Sequence, residues 1–164
     1  MAPYDRRHET PAERLDRNWN ELLQEFRVAQ TGIQILFGFL LILPFQPGFT
    51  EIGGMQRWSY LFIFACVTIS TMCILAPVMA HRLLFRRRRK ERLVDLGNNL
   101  AKVALGFLGA ALVAAVWLIV SVVSTPVMAG IWLVATLLLM VALWVVVPLR
   151  MDAGDADPDT EDAA

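Results

Sequence analysis

Gln24, Arg27, Thr31, Gln34 and Gly38 recur at intervals of three and four residues, so on a helix they form one largely polar stripe. Gln34 is its most informative member, because it falls inside an uncharged apolar run from Val28 to Leu43. An amide facing hydrocarbon leaves donors and an acceptor unmet, so Gln34 is expected to face another helix or a wet cavity. Two chemistries fit. One is interhelical hydrogen bonding, each bond contributing roughly 0.6–2 kcal/mol; the other is the lining of a solute path. Glu25, the acid nearest this run, lies about one turn before Val28. A proton-coupled carrier needs an ionisable group exposed alternately to both sides, and Glu25 is too shallow to be counted as one from sequence. A solvated or ion-paired carboxylate at the interface accounts for it equally well.

The basic run Arg86, Arg87, Arg88, Arg89 and Lys90 has three readings. It can bind anionic lipid headgroups, at about 1 kcal/mol per cation near the surface. It can pair with Glu13, Asp16, Glu21 and Glu25, or with the acidic C-terminus. It can also simply hold its loop on the cytoplasmic side, which suffices alone. Nucleic acid is not an expected partner for a loop held against a membrane. Gly106, Ala110 and Ala114 repeat every four residues, a small-residue pattern that suits helix packing within the chain or between copies. Cys66 and Cys73 lie about two turns apart on one helix, too far for a disulfide, and have no His or acid neighbours to make a metal site. His8 lies near the N-terminus and His81 beside Arg82 at a span end, where it reads as an anchor more than a base. No triad, carboxylate pair or phosphate-binding loop is present. The expectation is therefore no enzyme, no catalytic residue, no cofactor and no metal.

The elements that must position these residues are four apolar stretches, about 28–43, 58–80, 103–124 and 127–147, none containing an Asp, Glu, Lys, Arg or His. A helix rises about 1.5 Å per residue, so ~20 such residues cross the ~30 Å hydrocarbon layer. Of the 15 Lys and Arg residues, only Arg57 lies in the loop between the first two stretches, and the turn between the last two has no charge. The other fourteen lie in the N-terminal segment, in the middle loop and its flanks, and after the fourth stretch. The positive-inside rule then places both termini and the middle loop in the cytoplasm. The even number of spans agrees.

Residues 1–9 are expected to be loose. Thr10-Pro11-Ala12-Glu13 reads as a capping box with proline at the first helical position. The apolar face through Trp19, Leu22, Leu23, Phe26 and Ala29 predicts an amphipathic helix running past Gly32 into span 1, one bent or continuous helix from about 11 to 43. Pro44 and Pro47 end it. Phe45, Phe49 and Trp58 suit the outer headgroup region. Thr68, Ser70 and Thr71 are expected to bond back to their own helix, and Pro77 to bend its end. Spans 2 and 3 are expected to project as helices beyond the bilayer, with Asn98 and Asn99 after Gly97 as turn residues. Ser124-Thr125-Pro126 forces an antiparallel hairpin. The acidic tail, 151–164, is expected to be disordered.

The segment Arg17-Asn18-Trp19-Asn20-Glu21-Leu22-Leu23-Gln24-Glu25-Phe26-Arg27-Val28-Ala29-Gln30-Thr31-Gly32, followed by Gln34 to Leu41 and Leu43-Pro44-Phe45-Gln46-Pro47, resembles a bacterial family of small four-span membrane proteins. The similarity extends to Ala76-Pro77 and His81-Arg82, covering roughly residues 10–100. The family's domain is of unknown function, and its members are often labelled sodium:proton antiporters. The resemblance implies a four-helix integral membrane protein and supplies no catalytic residues. It is concentrated on Asn18–Pro47, where the polar stripe also lies.

Together these readings predict an all-α integral membrane four-helix bundle over 10–150, with its amphipathic N-terminal helix running into span 1, in a bacterial plasma membrane. The expected function is a non-enzymatic interaction or accessory module, with helix 11–27 docked on the basic extensions of spans 2 and 3. Glu21 or Glu25 should then reach an arginine in Arg82–Arg92. Expected partners are the bilayer with its anionic headgroups and either a second copy or a larger membrane complex. The alternative is a small cation/proton antiporter-like transporter, with Glu25, Arg27, Thr31 and Gln34 lining its entry.

Overall fold

The computed structural model describes residues 10–84 and 90–154. Helix α1, Pro11–Ile42, begins as its capping box requires. The Thr10 backbone N–H and hydroxyl both donate to a Glu13 carboxylate oxygen at 2.8 Å, and the Glu13 N–H donates back to the Thr10 hydroxyl at 3.3 Å. Accepting those two hydrogen bonds, the backbone one first, holds the Glu13 carboxyl below its ordinary pKa. The helix passes Gly32 unbroken, as expected.

Two short 3₁₀ turns, Leu43–Phe45 and Pro47–Thr50, follow α1. Pro44 has no N–H to offer the carbonyl of Leu40 four residues back. The Tyr60 hydroxyl supplies the missing donor at 3.0 Å. Phe49 meets the Tyr60 ring edge-on with centroids 5.0 Å apart, and Phe37 stacks on Phe64 at 5.4 Å. Phe49 is thus folded inward, whereas Phe45 and Trp58 are 85% and 73% exposed.

Helices α2, Gly54–Leu84, and α3, Lys90–Val123, form the most extensive pairing. Tyr60, Ile63, Val67, Ser70, Ile74 and Pro77 are buried along α2, spaced alternately three and four apart. On α3 the buried residues Gly97, Ala104, Ala111 and Leu118 recur every seven. That spacing is the seam of a left-handed helix pair, and glycine and alanine on one side let the larger α2 side chains approach its backbone. Thr68 and Thr71 donate to their own helix carbonyls as expected, but Ser70 reaches across the seam to the Ala104 carbonyl at 2.8 Å. The turn expected at Asn98-Asn99 is absent: α3 is helical through both. Gly97 is a notch and not a breaker. A Cβ there would lie 2.5 Å from Leu22 Cδ2 and 3.8 Å from Pro77 Cβ, so the glycine lets α1 seat Leu22 beside α2 and α3.

Helix α4, Pro126–Val141, starts with the Thr125 hydroxyl accepting from the Met128 N–H at 3.4 Å. It continues through a π turn, Ala142–Val146, into α5, Val147–Gly154. Pro148 accounts for the π turn, because it has no N–H for the carbonyl four residues before it and its ring crowds that carbonyl. The tail expected to be disordered from 151 is therefore helical to Gly154; its remainder, and residues 1–9, lie outside the described residues. Among the described helices, α1 packs on α2 and α3, whereas α4 packs on α3 alone. Met140 and Trp144 close over Gly109, where a Cβ would meet them at 2.6 and 3.0 Å, and Ala129 is buried. The four helices thus form a three-helix core with α4 attached along α3. Four helical segments, Arg17–Phe45, Gly54–Ala80, Val94–Val123 and Pro126–Met151, are long and apolar enough to cross a membrane. Many of their outward residues, Phe39, Met72, Ile119 and Leu138 among them, are apolar and suit lipid rather than water.

Candidate functional site

Helix α1 has two faces of opposite character. Leu22, Phe26, Ile33 and Leu40 are buried against α2 and α3. At about 100° per residue these four centre on one direction, and the stripe Gln24, Arg27, Thr31, Gln34 and Gly38 centres on the other side of the helix. Gln24, Arg27, Thr31 and Gln34 are accordingly exposed. Gly38 is half-buried, yet nothing lies within 4 Å of where its Cβ would be. The Thr31 hydroxyl is satisfied by the Arg27 carbonyl at 3.0 Å. Gln34 has no such solution, and its amide finds no hydrogen-bonding partner among the described residues. Among the described residues, therefore, no other helix of this chain meets the Gln34 amide. The apolar positions 22, 26, 33 and 40 dictate how α1 rotates, and that rotation sends Gln34 outward.

The interior holds no polar route in its place. Among the described residues, Ser70 is the buried polar side chain, and its hydrogen bond to Ala104 is satisfied. Ile33, Ile63, Val67 and Ala111 fill the centre. Of the residues expected to line an entry, Arg27, Thr31 and Gln34 share an exposed face of α1.

Glu25 lies elsewhere, where the N-terminal half of α1 crosses α3. A groove of about 610 Å³ has Glu21, Gln24 and Glu25 at its edge and Val28, Ala29, Leu105 and Leu108 along its floor. A second cleft of about 360 Å³ shares Glu21 and Glu25 and adds Asn18, Leu22, Val94, Asp95 and Asn98. The stretch of α1 from Asn18 to Ala29 thus lies beside α3, with Leu22 in the Gly97 notch. Glu21 is 3.7 Å from Arg17, one turn back on the same helix. A partly exposed pair of this kind adds little stability. Of the arginines expected to meet these acids, Arg82 is exposed. Arg86, Arg87, Arg88 and Arg89 lie outside the described residues, as do the side chains of Lys90 and Arg92.

The small residues Gly106, Ala110 and Ala114 have unlike surroundings. Gly106 faces open space, while Ala110 and Ala114 are half-buried against the core. A four-residue step advances about 40° around the helix each time, so the three sweep about 80°, from an open face at Gly106 toward the core-facing one at Ala114. The seven-residue repeat of 97, 104, 111 and 118 stays on one face, and it was present in the sequence as a second, longer period. Tyr60 had a comparable signal: Pro44 announces an orphaned carbonyl at Leu40. Cys66 and Cys73 are free thiols, and no group of three or more His, Cys, Asp or Glu among the described residues could hold a metal.

Residues 8–148 match the model of the Family of unknown function (DUF6328), and the chain belongs to that family. No curated protein and no solved structure matches the chain.

Proposed function

We propose that this protein is a multi-pass plasma-membrane interaction or accessory module without catalytic activity, which recognises another membrane protein through the outward face of α1. Its four apolar helices cross the bilayer with both termini and the segment between α2 and α3 in the cytoplasm, as the distribution of basic residues favours. The observation that carries the reading is Gln34, an exposed amide within an apolar span. A lipid-facing amide forfeits its hydrogen bonds, and a partner helix restores them. Among the described residues nothing meets that requirement, and a partner helix in an assembly would. The basic residues near the cytoplasmic face supply an affinity for anionic headgroups that orients the module without selecting its partner.

The test is a photoactivatable residue at position 34 in native membranes, with the same probe at Val134 of α4 as reference. The expected result is a discrete protein adduct from position 34 and none from 134. Adducts of equal yield at both positions, or none at 34, contradict the proposal. The rival reading, a cation/proton antiporter-like transporter, draws on Glu25 at the edge of both clefts. Sodium-dependent proton flux in proteoliposomes, abolished by Glu25→Gln, would establish that reading in place of ours. The expected result is no flux in either protein.

A further inference from the structure

We infer that the occupant of the α1 stripe is a second copy of this chain, in a parallel two-fold dimer whose Gln34 amides pair with one another. This rests on the proposed interaction role and names its partner.

Copies of one chain insert in one orientation, so a closed two-fold axis relating them runs along the membrane normal. Residues on that axis then face their own equivalents at equal depth. Gln34 lies seven residues past Arg27, about 10 Å of helix into the apolar run, and any partner must present both a donor and an acceptor at that depth. Gln34 of a second copy does so automatically. An amide carries both functions, so two amides related by the axis satisfy each other reciprocally. The stripe is self-complementary in polarity, depth and register.

Three further features suit this geometry. The spacing 24, 27, 31, 34, 38 alternates three and four, the seam along which two parallel helices pack at about 20°. The open space at Gly38, one turn beyond Gln34, lets the two backbones approach closely. Thr31 spends its hydroxyl on its own helix, which leaves Gln34 as the group that sets the register. Gln34 is the one amide of this seam within the apolar run, and an amide at a buried seam position is a known means of fixing register and stoichiometry. Arg27 lies where the seam leaves the hydrocarbon, and its long stem carries the guanidinium to the headgroups, away from its counterpart. Neither α2, α3 nor α4 obstructs this face, since α1 turns it away from the first two and α4 packs on α3 alone.

Two differently tagged copies are co-expressed, each with the photoactivatable residue at position 31 of the same stripe, so that both Gln34 amides are kept. An adduct carrying both tags is the expected result. An adduct with a different protein overturns the second copy while leaving the interaction role standing, and no protein adduct overturns both. In parallel, the dimer fraction of the reconstituted protein is read by single-molecule photobleaching over a series of lipid dilutions. Gln34→Leu is expected to weaken association by about 3- to 30-fold, and Gln34→Asn to retain most of it. An unchanged dimer fraction in Gln34→Leu, or association lost equally in the Asn variant, overturns the amide pairing. Co-purification of α1 and α3 proteolytic fragments under native conditions shows that each variant is folded.

Discussion

Single residues in this chain do most when they answer a defect created elsewhere. Pro44 orphans the Leu40 carbonyl, and Tyr60 supplies its donor. Tyr60→Phe is therefore expected to destabilise the fold by about 1–2 kcal/mol, since a buried acceptor is left unmet. In a Pro44→Ala background the backbone N–H returns, so the same substitution should cost clearly less. Unfolding measurements in detergent on the four variants of that cycle check the coupling, and equal costs in both backgrounds would refute it. Glu13 makes a pH-dependent case. Its carboxyl is held below the ordinary value by the Thr10 N–H and hydroxyl, so its contribution is present above the unfolded-state pKa and is lost as pH falls through the lowered folded one. Amide exchange over residues 12–14 should accelerate across that acidic window in the wild type and not in Glu13→Gln, because glutamine can still accept the cap bonds at any pH. Gln34 differs from both in that no described residue of its own chain answers it.

At the scale of elements, two glycines decide which helices touch. Gly97 receives Leu22, the far end of a flexible side chain, so Gly97→Ala should be tolerated by a small shift of that leucine. Gly97→Leu should lift the N-terminal half of α1 off α3, at about 1–3 kcal/mol, seen as faster proteolysis within residues 11–27. Gly109→Leu should displace Met140 and Trp144 instead, lengthening spin-label distances between α3 and α4 without altering those between α1 and α3. Movement of all three helices together would contradict the three-plus-one arrangement. Much of this level was legible. The capping box, the continuous α1, its stop at Pro44 and the tight Ser124-Thr125-Pro126 turn follow from local stereochemistry. The role of Gly97 was not, because a glycine in a polar stretch reads equally as a breaker or as a notch, and only the position of Leu22 decides. The π turn before Pro148 was likewise open to a kink, a bulge or a helix end.

For the molecule as a whole, the four apolar stretches and their lopsided basic flanks were readable because the bilayer imposes one length and one charge asymmetry. What sequence could not supply was rotation. The stripe on α1 is visible as a period, but whether it turns inward or outward depends on which other positions find a better core. Leu22, Phe26, Ile33 and Leu40 find it, and Gln34 is carried to the surface. The expected topology can be read by labelling single cysteines in intact cells with a membrane-impermeant reagent. A cysteine at Glu51 should react and one at Asp95 should not; the reverse would invert the orientation. The central claim, that a protein partner covers the outward face of α1, is tested most directly by the oxygen accessibility of a spin label at position 34 in reconstituted bilayers. The account predicts protection close to that of a label at the buried Ile33, and well below that of one at the lipid-facing Val134. A label at 34 as accessible as one at 134 would contradict it.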